Sequence, residues 1–467
     1  MKTYVEHFHN TYKGEFMKII IYGCGKIGST IISSLVAEGH EIVAIDRDSE
    51  TVEEISNIYD VMGLCGNGVD CDIMAEAGID KTDLFIAVTG SDELNMLSCF
   101  LARRLGAKNT IARIRTPEYN DEDLAFLKQE LDLSTSLNPE LLAAHEIYDV
   151  LHFPSAIKVE TFSNRNLKIV DFIVKEDSPF ANQSLSQLRQ KYPCKFLICH
   201  VVRNGEIFIP DGNFVLKVGD KIGITATDAE LIKLLKTMGI TQEPVKSVMM
   251  LGASRLSYYL SKMLIASGVK VKIVDKDKDR CLEFSNLIPE ATMIYGDGMN
   301  KEVLFEEGLT STDAFIALTG NDEQNILISF TAVNNVPTVI AKVNHHALAT
   351  TAEKLGLDRV VSAKNAVSSV VARYARALEN SMGSNVERLY KLMDGKAEVL
   401  EFNVLPDFEY INIPLKEMRL KKNILIAGII RKKKSVIPSG GDVIMPGDKV
   451  IVVALGRMLG DLKDIIE

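Results

Sequence analysis

Short apolar runs alternate along this chain with longer stretches in which apolar positions recur every three or four residues. KIIIYG (18–23), EIVAID (41–46), DLFIAVT (83–89) and TIARIR (110–115) are compact aliphatic runs bounded by glycine or charged residues. Such runs predict buried strands. IGSTIISSLVAEG (27–39) and ELNMLSCFLARRLG (93–106) carry helical spacing and close on glycine,. Strands alternating with helices predict a parallel, doubly wound sheet. A further helix is expected at NPELLAAHEIYDVLHF (138–153). Beyond it the pattern turns β-rich, with hairpin signals at RNGE (203–206) and PDG (210–212) and one terminal helix,.

The whole pattern then repeats. Gly23 and Gly252 stand 229 residues apart, as do Asp46 and Asp275. TDLFIAVTGSDELNML (82–97) returns as TDAFIALTGNDEQNIL (312–327), CGNG (65–68) as YGDG (295–298), and TIARIR as VIAKVN (339–344). IFIPDGNFVLKVGDKIGI (207–224) returns as SVIPSGGDVIMPGDKVIV (435–452). Preserved order at a nearly fixed offset means tandem duplication. The expected organisation is α/β: two Rossmann-like doubly wound domains, at 17–140 and 247–365, each followed by a small α+β domain, at 157–240 and 385–467. The second Rossmann-like unit ends in its own helix, AKNAVSSVVARYARALEN (363–380), and polar TQEPVKS (241–247) marks the central boundary,. A length of 467 residues fits such a multidomain chain,. Residues 1–16 lack the apolar core of a signal peptide. Met17 directly precedes the first strand, so residues 1–16 are expected to be an upstream extension and Met17 the functional start.

GCGKIG (23–28) satisfies G-x-G-x-x-G in its proper context, with a strand before, a helix after and Asp46 eighteen residues beyond Gly28,. Gly23 permits the tight turn, Gly25 lets backbone approach a pyrophosphate, and Gly28 lets helix pack closely on strand. The helix N-terminus offers free amides to phosphate. Asp46 is suited to accept hydrogen bonds from adenosine ribose hydroxyls, which favours NAD or adenine nucleotides over NADP; Arg47 weakens that preference. Thr89 and Gly90 fall at a strand end where ligands of open α/β sheets bind. Arg113 is a candidate phosphate contact or a surface ion pair. Asp92 and Glu93 read as first-turn acids suited to the helix dipole. In the second copy Gly252 is kept, but Ser254 and Ser257 replace Gly25 and Gly28; Arg255, Leu256 and Lys342 replace Lys26, Ile27 and Arg113. Asp275, Gly296, Asp297 and Thr319 complete this possible second nucleotide site. Binding a different nucleotide, binding weakly and a purely structural role all stay open for it.

Composition narrows the function. A net charge of −10 argues against a nucleic-acid binder, which needs a basic surface,. No apolar run approaches the roughly 18 residues of a membrane span. The seven cysteines form no CxxC pair and read as reduced, mostly buried thiols of a cytosolic protein,. No metal is expected: His7–His9 and His345–His346 lack partner ligands at metal spacing. No nucleophile constellation is present, and His200, within FLICHVV, reads as core or edge packing. RKKK (431–434) reads as a solvated hairpin turn, with contact to anionic lipid or a membrane partner as the sharper alternative.

GCGKIG with Asp46, GNG (66–68), DLFIAVTGSDELNML and the paired PDG and VGDK segments resemble the TrkA family, the cytosolic regulatory subunits of Trk-type bacterial potassium uptake systems. The resemblance covers residues 17–467; the larger units look like RCK (KTN) N-terminal domains and the smaller like RCK C-terminal domains. It implies a non-enzymatic subunit that binds NAD(H), with ATP or ADP as further candidates. It also implies a homo-oligomeric gating ring, a tetramer, on the cytoplasmic face of a membrane-embedded TrkH-type pore that passes potassium. Carried over by motif, Gly23, Cys24, Gly25, Lys26, Ile27 and Gly28 line the first site, with Asp46, Gly66, Asn67, Thr89, Gly90 and Arg113 around them. Family second units more often retain the fingerprint glycines that here are Ser254 and Ser257. An NAD-dependent oxidoreductase is the alternative, opposed by the small C units and the missing acid–base residue. A redox-sensing transcription regulator ranks last, for want of a helix-turn-helix or basic face.

Overall fold

The computed structural model describes residues 17–117, 121–152, 157–161, 167–237, 245–381, 386–392, 397–432, 434–456 and 459–467. The expected extension at 1–16, with His7 and His9, lies outside them, as do residues 241–244 of the linker and Lys433.

The first half runs β1 (Lys18–Tyr22), α1 (Lys26–Ala37), β2 (Glu41–Asp46), α2 (Ser49–Tyr59), β3 (Met62–Cys65), α3 (Cys71–Glu76), β4 (Leu84–Ala87), α4 (Asp92–Leu105), β5 (Asn109–Arg113), α5 (Asp121–Glu130), β6 (Thr135–Leu137) and α6 (Pro139–His152). Its C unit adds β7 (Lys158–Thr161), β8 (Leu167–Ile173), α7 (Leu185–Lys191), β9 (Phe196–Arg203), β10 (Glu206–Phe208), β11 (Lys221–Thr227) and α8 (Asp228–Thr237). The second half repeats the scheme with β12 (Ser247–Leu251), α9 (Arg255–Ala266), β13 (Lys270–Asp275), α10 (Lys278–Leu287), β14 (Thr292–Tyr295), α11 (Lys301–Glu306), β15 (Ala314–Ala317), α12 (Asp322–Val333), β16 (Thr338–Lys342), α13 (His346–Lys354), β17 (Val360–Val361) and α14 (Ala363–Ser381). β18 (Val386–Leu392), β19 (Ala397–Asn403), β20 (Ile424–Arg431), β21 (Lys434–Val436) and β22 (Lys449–Leu455) complete it.

The chain divides into two compact units, one of residues 1–138 with 367–386 and one of 139–366 with 387–467. The first holds a six-stranded sheet in the order β3-β2-β1-β4-β5-β6, parallel throughout. β1 lies between β2 and β4, so the strand order reverses there, and the crevice beyond the C-terminal ends of β1 and β4 is where such sheets hold ligands. Ile20, Tyr22, Val43, Phe85, Met96 and Cys99 pack one core of this unit. Residues 367–381 of α14 belong to it as well. Arg376 Nε donates to Glu38 Oε2 at 3.0 Å, and both side chains are buried. The expected strands and helices are all present; β3, β6 and the helices α2, α3 and α5 are additional, the two strands being short and only partly apolar.

The second unit holds a matching sheet, β14-β13-β12-β15-β16-β17, and two five-stranded sheets, β10-β9-β11-β8-β7 and β18-β19-β22-β20-β21. Every described pairing within the five-stranded sheets is antiparallel. Helix α6 packs on α9, where Tyr148 Oη and Ser267 Oγ lie 2.5 Å apart. The two antiparallel sheets share a core, with Leu167, Ile169 and Cys199 packed among Val399, Ala427, Ile451 and Val453. RNGE is a hairpin turn, pairing Arg203 with Glu206, and Arg431 pairs likewise with Lys434 across the RKKK turn.

Two expectations are corrected. PDG is a turn but joins no hairpin, because β10 pairs with β9, while β11 pairs with β8 and β9. The two C units do not share one terminal helix each. The first has α7 as well as α8, whereas the described residues of the second form only short 3-10 turns at Leu415–Glu417 and Leu462–Ile465. After β22 the described residues start the Leu462–Ile465 3-10 turn on an Asp461 capping box,.

Candidate functional site

The chain leaves β1 through Gly23, whose φ of +99° an L side chain rarely adopts,. A Cβ there would stand 2.8 Å from the Thr89 amide nitrogen, so the ends of β1 and β4 meet at this glycine. The Gly23 amide donates to Ile45 O at 2.9 Å, and the Cys24 amide to Asp46 Oδ2 at 2.7 Å. Asp46 Oδ1 accepts from the Asp48 amide at 3.1 Å. One bond per oxygen leaves lone pairs on the carboxylate for further donors. Burial, then the neighbouring Asp46 charge, pushes the Cys24 thiol up to about 12, so this cysteine is no thiolate nucleophile at neutral pH,.

Gly25 is the N-cap of α1, is exposed, and supplies no side-chain acceptor to the helix. A Cβ at Gly25 would meet nothing within 4 Å. The first amides of α1 therefore face open space without a side-chain cap, which is the setting for an anion. Lys26 is exposed and Ile27 half-buried beside them. Gly28 turns inward, where a Cβ would sit 1.9 Å from Gly23 O. Next to Asp46, the Gly66 amide donates to the Asp46 carbonyl at 2.8 Å, and Asn67 Oδ1 accepts from Tyr22 Oη at 2.9 Å.

On the β4 side, Asn95 organises the strand end. Its Oδ1 accepts from the Thr89 amide at 2.8 Å and from Thr89 Oγ1 at 2.7 Å; its Nδ2 donates to Arg113 O at 2.9 Å. Arg113 is half-buried and donates from Nη1 to Thr89 O at 3.2 Å, so it braces the loop that carries exposed Gly90. Asp92 is buried and accepts from the Arg115 and Thr116 amides at 2.7 and 2.8 Å. Burial raises its pKa, but these bonds and the Arg115 charge outweigh it and hold the carboxyl below the ordinary range,. Asp92 is thus a structural acid. Asn95 has no motif of its own; the signal that could have found it is its recurrence, in register, as Asn325.

The second turn has the same frame and a different floor. Gly252 (φ +103°) donates to Val274 O, and the Ala253 amide donates to Asp275 Oδ2 at 2.6 Å. Thr319 is clamped by Asn325 as Thr89 is by Asn95. Gly296 donates to the Asp275 carbonyl at 2.9 Å, and Asp297 accepts from the Met299 amide. Ser254, however, caps its own helix, its Oγ accepting from the Ser257 amide at 3.3 Å. Ser257 is buried and donates from Oγ to Gly252 O at 2.5 Å. Leu256 is buried and Arg255 exposed. Lys342 donates to Leu318 O at 3.4 Å; burial lowers its pKa, opposed by Asp322 and Glu140. An anion approaching this turn finds the amide of residue 257 already bonded.

All seven cysteines are free; Cys24, Cys99, Cys199 and Cys281 are buried, Cys65 and Cys71 exposed. No group of three metal-ligating side chains occurs among the described residues, and no described helix is long and apolar enough to cross a membrane.

Comparison with known proteins gives the same arrangement a family. The TrkA-N domain matches residues 19–128 and 248–363, and the TrkA-C domain matches residues 169–239 and 399–467. A "Trk system potassium uptake protein TrkA homolog" of Archaeoglobus fulgidus is 31% identical, across 96% of this chain and 100% of that protein. The "Trk system potassium uptake protein TrkA" of Haemophilus influenzae is 26% identical, across 97% of each. Both are named for potassium uptake and not for an enzymatic reaction. Among solved structures, "GsuK channel bound to NAD" shares the fold, with a TM-score of 0.61 at 17% identity over 97% of this chain and 80% of the channel. With tandem TrkA-N and TrkA-C domains and a full-length relative of that name, the chain belongs to the TrkA family.

Proposed function

We propose that this protein is the cytosolic regulatory subunit of a Trk-type potassium uptake system, peripheral on the inner face of the membrane. It binds NAD(H) or an adenine nucleotide at the first glycine turn and gates potassium flux through a TrkH-type membrane partner, as a homo-oligomeric ring of four chains. Its four domains are 17–140, 157–240, 247–365 and 385–467. The carrying observation is the uncapped turn at Gly25, with open space before the first amides of α1 and the Asp46 carboxylate beside it. In this reading the amides and Lys26 hold the phosphates, and Asp46 accepts from the ribose hydroxyls. Thr89, Gly90 and Arg113 shape the β4 side, and Gly66 and Asn67 the β3 side. A nucleotide that fits one conformation of the ring better than another shifts the ring, and the ring biases the pore.

The test has two arms. In calorimetry with NADH, NAD⁺, ATP and ADP, Asp46→Asn removes the charge and leaves a single side-chain oxygen for the Cys24 and Asp48 amides that both carboxylate oxygens now hold, so a thermal melt of the variant accompanies the titration to show that it is folded. At least a tenfold loss of affinity is expected, about 1.4 kcal/mol; unchanged affinity refutes the site. In vesicles holding a TrkH-type transporter, potassium flux should change when this protein and nucleotide are added. Flux indifferent to both refutes the regulatory role.

A further inference from the structure

We propose that the two antiparallel sheets are built to pair with each other and not with copies of themselves, through a knob and a hole whose positions are inverted between them. This rests on the packing of the second unit alone and is independent of the nucleotide reading.

The equivalences come from strand register. Lys221 and Lys449 open β11 and β22 after the same Gly-Asp pair, so Thr227 corresponds to Leu455 and Gly223 to Ile451. Leu167 pairs with Thr227, and Ala397 pairs with Leu455. His200 pairs with Gly223, and Gly428 pairs with Ile451, each beside a register shift in the same place. Leu167, His200 and Gly223 of the first sheet therefore answer to Ala397, Gly428 and Ile451 of the second. At each of the three positions one sheet is large where the other is small.

The space is used accordingly. A Cβ on Gly428 would stand 2.6 Å from Leu167 Cδ2 and 3.3 Å from Ile451 Cδ1, so Leu167 of the first sheet fills the hole at Gly428 of the second. Within the first sheet the His200 ring lies over Gly223, 2.0 Å from where a Cβ would be, and Asp171 Oδ1 stands 3.3 Å from His200 Nε2. His200 is buried, and Leu167 is fully buried. Two copies of the first sheet packed in this geometry would set Leu167 against the His200 ring. Two copies of the second would set Ala397 against Gly428 and leave a void. Interiors are packed closely enough that clash and void are both faults. Only the mixed pair fills the space, which is a difference of affinities obtained by opposing the wrong partner.

The test uses the full-length chain. L167A/H200G/G223I makes both sheets hole-type, and A397L/G428H/I451G makes both knob-type. Each triple variant should lower the melting temperature by on the order of 5 °C. The six-fold exchange, which moves the knob to the other sheet, should recover at least half of the larger loss. A six-fold loss equal to the sum of the two triple losses overturns the proposal. Should a triple variant fail to fold, the milder cycle decides. G428A should melt lower than the parent, and adding L167A should raise it again; a double variant melting below both singles overturns the proposal. Selectivity is read by co-expressing differently tagged chains. The knob-type chain should capture the hole-type chain at least threefold more than it captures itself, and equal capture overturns the selectivity.

Discussion

Gly28 and Ser257 hold the same place in the two turns and show how one atom decides local packing. At Gly28 a Cβ would lie 1.9 Å from Gly23 O, so α1 sits against the turn with no room to spare. Ser257 is accommodated in its own turn, where its hydroxyl donates to the corresponding carbonyl, Gly252 O. Gly28→Ala should therefore cost about 1–3 kcal/mol by forcing α1 outward. Gly28→Ser should be milder by about 1 kcal/mol, because its hydroxyl can bond Gly23 O. Urea unfolding of the two variants checks this; equal losses would show that the hydroxyl plays no part. Residues such as Gly28 were legible because the fingerprint has a fixed spacing with a steric reason at each position. Asn95 was not, since an asparagine inside a helix carries no local signature. Its role depends on Thr89, just past the end of β4, and on Arg113, the last residue of β5.

At the scale of elements, the difference between the halves is how a helix begins. α9 begins on Ser254, whose hydroxyl satisfies the Ser257 amide, while α1 begins on Gly25 with no side-chain cap. Gly25 has φ −64° and ψ −168°, extended backbone open to any residue, and a Cβ there meets nothing. The glycine is thus not required by the fold. Gly25→Ser should stabilise the protein by about 0.5–1 kcal/mol through a new N-cap. It should also weaken nucleotide binding at least tenfold, because the serine takes up an amide and the space before it. Stability by thermal melting and affinity by calorimetry should move in opposite directions; a variant that gains stability and keeps its affinity refutes the phosphate site at α1. Strands and helices of the parallel sheets were readable because their apolar runs are continuous and buried on both faces. The 62–65 strand carries no continuous apolar signal because its burial is broken, with Met62 and Cys65 exposed. PDG does not specify a hairpin, because a turn sequence fixes the local bend and not which strands pair after it.

For the whole molecule, the duplication predicted two like halves in sequence order, and the compact units do not follow that order. α6 comes after the first parallel sheet in the chain but packs on α9 of the second. Residues 367–381 of α14 come after the second sheet but belong with the first, tied to it by Arg376 and Glu38. Periodicity shows that each helix has an apolar face and cannot show which sheet covers it, so this exchange was not legible. The buried ion pair is the place to test it. Side-chain exposure is 9% for Arg376 and 4% for Glu38, so little water is available to either charge. Removing one partner takes this ion pair from a charge that stays buried in a poor solvent for it, at up to about 3–5 kcal/mol. Replacing both by apolar residues of similar volume removes the desolvation cost together with the attraction and is often close to neutral. Arg376→Met and Glu38→Leu should each destabilise the protein, while the double variant should lose much less than the sum of the two losses in denaturant unfolding. Strict additivity would mean that the Arg376–Glu38 pair is not coupled and plays no part in tying α14 to the first sheet.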